Sequence, residues 1–259
     1  MAAQIEVHDA HAHYHHPALQ HHFDNMEQQK EAVSIGMWMF LVQEIMFFGG
    51  LFLVYLKYRS QFPVAFAVGS NHLDMWMGFA NTLVLIFSSL TMALAVWSAQ
   101  TNKRNALIGF LTLTMILGGV FLGVKAIEYH EKYVDNLIPF FQTFKWQPEG
   151  EHATEELKLI DEHGSALEKQ LVADDYYKFA NKVRIYFWIY FAMTGLHALH
   201  MIIGIGLIIW IIINAFRNMY SSEYYAPVET FGLYWHFVDI VWIFLFPLLY
   251  LLGRHFGTH

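Results

Sequence analysis

The chain has 259 residues, of which 56% are hydrophobic, 17% aromatic and only 14% charged, against roughly 25% charged in an ordinary soluble domain. Its 22 acidic and 15 basic residues leave a formal charge of −7, with no basic stripe to track a phosphate backbone, which argues against nucleic acid as a partner. The absence of cysteine excludes disulfides, iron–sulfur clusters, thiolate metal sites and covalently attached haem, so the composition points to lipid.

In chain order, residues 1–31 form a leader holding seven of the sixteen histidines: His8, His11, His13, His15, His16, His21 and His22. Imidazole suits copper, zinc or nickel, but the tract has little to fold around and has the composition of a solvated tail. Nothing apolar precedes residue 32, so the first helix is expected to act as an uncleaved insertion signal.

A hydrocarbon core of ~30 Å needs about 20 apolar helical residues. Five runs meet that length, at about 32–56, 75–99, 106–124, 185–216 and 231–253. They are continuous and do not alternate, which favours helices over strands. Five of the six prolines lie outside them, and Pro247 is expected to kink the last helix near its end. Trp76, Trp97, Tyr55, Tyr58, Tyr234 and Tyr250 stand near segment ends, as interfacial rings do.

The connection after the third run, residues 125–184, carries 12 of the 22 acidic and 8 of the 15 basic residues. Its core, residues 130–180, reads as an acidic extramembrane insertion. There Leu157, Ile160, Leu167 and Leu171 recur at helical spacing. Ser165 with Glu168 has the capping-box pattern, and Gly164 marks a break between two short amphipathic helices. The leader's side of the membrane counts four basic residues and the other side eleven, eight of them in this connection. Long loops cross largely regardless of charge, so basic residues alone leave the orientation open.

An ionisable group in a membrane helix costs about 2.5–3.5 kcal/mol and needs a partner or a function. Glu44 lies mid-run in the first segment; His197 and His200 are three apart in the fourth; His236 and Asp239 repeat that spacing in the last; Glu128 follows Lys125 at the end of the third. Three readings are open: a carboxylate–imidazole proton relay, axial histidines of a b-type haem, or groups that satisfy one another and fix helix packing. Asn81 and Thr82 can bond across helices, and Gly119 with Gly123 forms a GxxxG that permits close approach.

These blocks together resemble subunit III of the haem–copper oxidases, most closely the cytochrome c oxidase type in its five-helix bacterial form. They are Gly36-Met37-Trp38-Met39-Phe40-Leu41 with Glu44 and Phe47-Phe48, then Asn81-Thr82, then Glu128-Tyr129. Thr194-Gly195-Leu196-His197-Ala198-Leu199-His200 with Ile203-Gly204 follows, and Tyr234-Trp235-His236-Phe237-Val238-Asp239-Ile240-Val241-Trp242 closes the set. The resemblance implies an all-α polytopic membrane protein, five transmembrane helices in a bundle with a V-shaped lipid cleft, in the inner membrane of a bacterium. It implies a non-catalytic accessory subunit that packs on subunit I beside subunit II, binds structural phospholipid and supports proton uptake during electron transfer to oxygen. Haem and copper would reside in the partner subunits and none in this chain.

By the same resemblance Glu44 is the family's carbodiimide-reactive carboxylate near the lipid cleft, and Arg217 stands where a lipid headgroup is held, a guanidinium fork meeting phosphate. His197, His200, Glu128, Glu229, His236 and Asp239 are implied to be structural or lipid-facing polar groups. The family's topology places the leader in the cytoplasm and the acidic insertion in the periplasm, where it is a candidate dock for cytochrome c or a respiratory supercomplex partner. Two departures stand out: the leader replaces two further helices of the mitochondrial form, and the insertion is unusually long. The alternatives are the equivalent subunit of a quinol oxidase, a nitric-oxide-reductase-associated homologue, and, outside the family, a free-standing transporter or b-type cytochrome.

Overall fold

The computed structural model describes residues 22–140, 158–174, 176–222 and 224–251. The elements are α1 (Met26–Gln61), α2 (Pro63–Asn71), α3 (Met75–Gln100), α4 (Arg104–Val134), α5 (Ala166–Asp174), α6 (Tyr176–Phe216) and α7 (Ala226–Phe246), which continues into a π-helical turn, Pro247–Leu251. Residues 158–163 are also helical, and there is no strand among the described residues. Among the described residues, five helices are long and apolar enough to cross a membrane: α1, α3, α4, α6 and α7 with its π turn. The chain is a helical polytopic membrane bundle, as its apolar runs predict. The histidine tract up to His21 lies outside the described residues.

Local chemistry sets the helix ends. Asn25 caps α1, its side chain accepting from the Gln28 N–H at 2.8 Å, and Asp74 caps α3 by accepting from Trp76 and Met77. Asn102, Asn136 and Asn218 follow α3, α4 and α6, each with φ near +56°. In each case the next residue's N–H reaches back to a carbonyl of the last turn: Lys103 to Ser98, Leu137 to Lys132 and Met219 to Asn214, at 2.9 to 3.1 Å. Those are Schellman closures with asparagine in the left-handed position usually held by glycine.

α3 and α4 form the most extensive helix pair, and α7 packs against α3, α6 and α1. The core is aromatic, with Trp235, Trp242, Tyr186, Tyr190 and Tyr250 fully buried. Trp235 is wedged between α4 and α6 because Gly118 and Gly204 offer no side chain there. A Cβ at either would come within 3 Å of the indole. The GxxxG of the sequence does not perform this role: Gly119 and Gly123 are exposed, and a Cβ at either would meet nothing within 4 Å. The indole N–H of Trp235 donates to Ser88 Oγ and that of Trp242 to Thr82 Oγ1, while Asn81 donates to the Phe121 carbonyl on α4. Thus Asn81 and Thr82 do bond across helices.

Pro247 turns the end of α7 into the π turn, whose loosened carbonyls find phenolic donors on other helices. Tyr55 of α1 donates to Leu248 O at 2.6 Å and Tyr186 of α6 to Leu249 O at 2.9 Å.

The end of the acidic insertion is tied to the bundle. Ser165 and Glu168 form the reciprocal capping box, Ser165 N–H to Glu168 Oε2 at 2.9 Å and Glu168 N–H to Ser165 Oγ at 3.2 Å. Glu168 Oε1 also accepts from Val64 and Ala65, both at 3.0 Å. One carboxylate therefore caps α5 and α2 together. Burial pushes the Glu168 carboxyl above its ordinary range, and these N–H donors pull it back. Ile160 is buried and Leu171 packs on the core, whereas Leu167 is exposed; Leu157 lies outside the described residues.

Candidate functional site

Within the bundle the ionisable residues separate into an acid–imidazole pair, a buried ion network and a set of further core groups. Glu44, on the inner face of α1, meets His200 of α6, with Oε2 3.2 Å from Nε2 and both side chains about nine-tenths buried. The other ring nitrogen, Nδ1, lies 2.9 Å from the Leu196 carbonyl. A carbonyl only accepts, so Nδ1 carries a proton. Nε2 is the nitrogen turned toward the carboxyl group, so the two side chains form an acid–imidazole contact. The Tyr234 hydroxyl donates to the His200 carbonyl at 2.8 Å, and Phe48 lies against the imidazole.

His197, three residues earlier, has a different destination. Its ring is fully buried between Phe121 and Trp242, at centroid distances of 5.3 and 5.2 Å, and neither nitrogen has a hydrogen-bond partner among the described residues. His236 and Asp239 do not bond to one another. His236 Nδ1 is 2.7 Å from Ser89 Oγ, and the buried Asp239 carboxyl group lies beside the same hydroxyl.

Glu128 anchors a network that sequence reasoning largely missed. Lys125 Nζ is 2.9 Å from Glu128 Oε2, and both are buried. Tyr190 of α6 donates to Glu128 Oε1 at 2.7 Å, and Tyr250 of the π turn donates to the same oxygen while accepting from Lys125. The ammonium also lies over the Trp242 ring, 4.5 Å from its centroid. One turn further on, Lys132 donates to the His72 carbonyl at 2.6 Å. α4 thus passes the end of its apolar run at Lys125 and continues to Val134, because these two lysines are covered by neighbouring chain. The signal available in the sequence was the i, i+3, i+7 spacing of Lys125, Glu128 and Lys132, which marks one helix face.

A cleft of about 480 Å³ opens between α1, α6 and the start of α7. Val33, Met37 and Phe40 face Ile203, Leu207 and Trp210 across it, with Gln29 and Lys30 at one end and Tyr234 at the other. From Lys30 to Phe40 is roughly 15 Å along the helix axis. Lys30 Nζ also lies 5.9 Å from the Tyr225 ring centroid. Tyr234 links the cleft to the Glu44–His200 pair, which sits one turn beyond Phe40. Arg217 and Glu229 are exposed and neither lines this cleft; Glu229 is in the first turn of α7. The arginine that closes the C-terminus of α6 is Arg104, whose Nε donates to the Ala215 carbonyl at 3.0 Å and whose Nη2 donates to the Phe216 carbonyl.

A multi-pass helical bundle with an internal acid–imidazole pair and an apolar cleft defines a class, integral membrane proteins with polar groups at helix interfaces. The profile of the cytochrome c oxidase subunit III family matches residues 17–135 and 168–254, and the chain belongs to that family. Residues 136–167, most of the acidic insertion, lie outside the match. Relatives include cytochrome c oxidase subunit 3 of Corynebacterium diphtheriae, 26% identical over 84% of this chain and 87% of that one. The corresponding subunit of Thermostichus vulcanus is 28% identical over 89% and 92%. A probable quinol oxidase subunit 3 of Staphylococcus haemolyticus is 25% identical over 89% and 94%. The chain is therefore a subunit III of the haem–copper oxidase kind, a membrane protein that associates with other oxidase subunits.

Proposed function

We propose that the chain is the non-catalytic subunit III of a bacterial aerobic cytochrome c oxidase in the inner membrane. In this reading it packs on subunit I beside subunit II, holds a phospholipid and supports proton uptake, while the haems and copper reside in its partners. The observation that carries the reading is the adjacency of the cleft to the Glu44–His200 pair. Its walls suit an acyl chain and Lys30 at its mouth suits a phosphate, so bound lipid seals a proton-holding pair from water. His197, Asp239 and the Glu128 network serve the packing of the bundle, and Arg217, on the same membrane side as Lys30, is a second headgroup contact.

The relative described as a probable quinol oxidase subunit 3, as well covered as the cytochrome c oxidase relatives, favours a quinol-oxidising complex as the second reading. Affinity purification through a tag on this chain tests both. The expected product contains a haem–copper subunit, shows a Soret band and reduces oxygen with reduced cytochrome c as donor. Quinol as the only effective donor would select the second reading, and a tagged chain that purifies without haem would remove both. The acidic insertion is proposed to dock a basic carrier. Changing Glu149, Glu151, Glu155 and Glu156 to glutamine should raise the KM for cytochrome c at low salt, and an unchanged KM would remove that role.

A further inference from the structure

α2 has no cap of its own. Phe62 at its N-cap offers no side-chain acceptor and Pro63 fills its first position, so the next N–H groups find no partner inside the helix. Val64 and Ala65 donate instead to Glu168 Oε1, at 3.0 Å each, from a segment more distant in sequence than any other cap in the chain. Glu168 Oε2 accepts from the Ser165 N–H at 2.9 Å, and Ser165 Oγ donates to the Gln61 carbonyl, where α1 ends, also at 2.9 Å. One carboxyl group and one hydroxyl therefore fasten the start of α5 to the corner between α1 and α2. That corner is fixed in the core, since Val64 to Ser70 are all buried.

The clasp is buried, and among the described residues no cation pairs with it. The charged groups on every element around it are engaged elsewhere or face water. On α1, Arg59 lies beside the Tyr55 hydroxyl and Lys57 is exposed. α2 has no ionisable side chain. In residues 158–163, Lys158, Asp161 and Glu162 are exposed and His163 lies 3.9 Å from Glu162. Lys169 of α5 donates to the Asp161 carbonyl. On α6, Lys178 is exposed, the Lys182 ammonium lies over the Phe62 ring at 4.7 Å and Arg184 donates to the Pro139 carbonyl. A carboxylate drawn from water without a cation costs free energy that a neutral carboxyl group does not. Burial accordingly holds the Glu168 carboxyl above its ordinary range, with the backbone donors offsetting part of the effect.

We propose that the Glu168 clasp is a pH-sensitive latch, one that holds the end of the acidic insertion on the bundle while the carboxyl group keeps its proton and lets it lift as the proton leaves. Released into water, the side chain returns to the ordinary glutamate value of about 4.3. The docked group binds its proton more tightly, so docking and protonation reinforce one another. Docking is strongest below the ordinary value, weakens as pH rises through the docked one and levels off above it. A compartment that acidifies thus draws the insertion down onto the α1–α2 corner. The latch is internal to this chain and is independent of the electron donor.

Because the chain has no cysteine, Gln61→Cys and Gln170→Cys, both at exposed positions, can carry a nitroxide pair in the complete complex in lipid nanodiscs. Pulsed dipolar spectroscopy between about pH 5 and about pH 8 should show a short-distance population that gives way to a longer one as pH rises. With Glu168→Gln added, the short distance should dominate throughout, because the amide is neutral and keeps a carbonyl oxygen for Val64 and Ala65. A distribution that does not change with pH, or one that lengthens on acidification, would overturn the latch. So would a Glu168→Gln chain that keeps the pH dependence, which would assign it to another group such as His163, or one that is open at every pH.

Discussion

Replacing Glu128 with leucine removes the acceptor on which three buried donors converge. Lys125 Nζ, Tyr190 Oη and Tyr250 Oη all point at its two oxygens, and Glu128 is 1% exposed and Lys125 3%. The ammonium would retain one phenol oxygen and the Trp242 ring, and the two phenols would lose their acceptor. Breaking a buried ion pair costs about 3–5 kcal/mol, most of it the uncompensated charge. At about 2–4 °C per kcal/mol for a chain of this size, the thermal midpoint of the chain in detergent should fall by roughly 10 °C. The double change Lys125→Met with Glu128→Leu removes both charges and should recover most of that loss, because apolar replacement of a buried pair is often close to neutral. Circular dichroism melts of the single and double variants complete the cycle. A Glu128→Leu midpoint within 2 °C of wild type, or a double variant worse than the sum of the singles, would show that the charges are not coupled as described.

Two further outcomes are expected. Lys30→Ala should lower tightly bound phosphorus per complex by about one lipid and by more than Arg217→Ala does, since only Lys30 lines the cleft; equal loss from the two, measured by phosphate analysis, would place the headgroup elsewhere. Glu168→Ala removes the carboxylate that accepts from Val64, Ala65 and Ser165, at a cost of roughly 2 kcal/mol for two helix caps. Limited proteolysis should then cut the insertion at least tenfold faster, and an unchanged rate would show that the α2 contact does not hold it.

How far the sequence reveals this molecule depends on which property is read. Hydropathy makes the five crossings legible because the hydrocarbon thickness imposes a length that few other structures need. It does not reveal where α4 ends, since Lys125 and Lys132 look like an aqueous boundary until Tyr190, Tyr250 and the His72 carbonyl cover them. The three asparagine closures escape a search for glycine, although asparagine also tolerates the left-handed region. Gly119 and Gly123 match a packing motif by spacing, whereas Gly118, one residue away, is the one that meets Trp235; a rotation of 100° about the helix separates them, and only tertiary contact fixes which side faces in. The cleft is illegible for the same reason, because Val33, Met37 and Phe40 read alike whether they face a gap or a core. Glu44 and His200 are each conspicuous as polar residues in apolar runs, yet their pairing depends on the axial register of α1 against α6.

That pairing also explains why two neighbouring histidines diverge and gives them different expected consequences. Residues three apart on a helix differ by 300° of rotation, so His197 and His200 are offset by about 60°. This is enough to send one ring to Phe121 and Trp242 and the other to Glu44. Glu44→Gln is close to isosteric and keeps a hydrogen-bonding group facing Nε2 of His200. Under the proposed function, initial oxygen turnover should stay near wild type, with activity declining sooner under sustained turnover. His200→Leu leaves the Glu44 carboxyl group facing an apolar neighbour, at a cost of about 2.5–3.5 kcal/mol for an unpaired ionisable group at this depth. It should destabilise more than Glu44→Gln, and adding Glu44→Leu to it should restore stability without restoring the sustained rate. Initial turnover abolished by Glu44→Gln would refute an accessory role for the pair, and a His200→Leu variant as stable as wild type would refute the pairing itself.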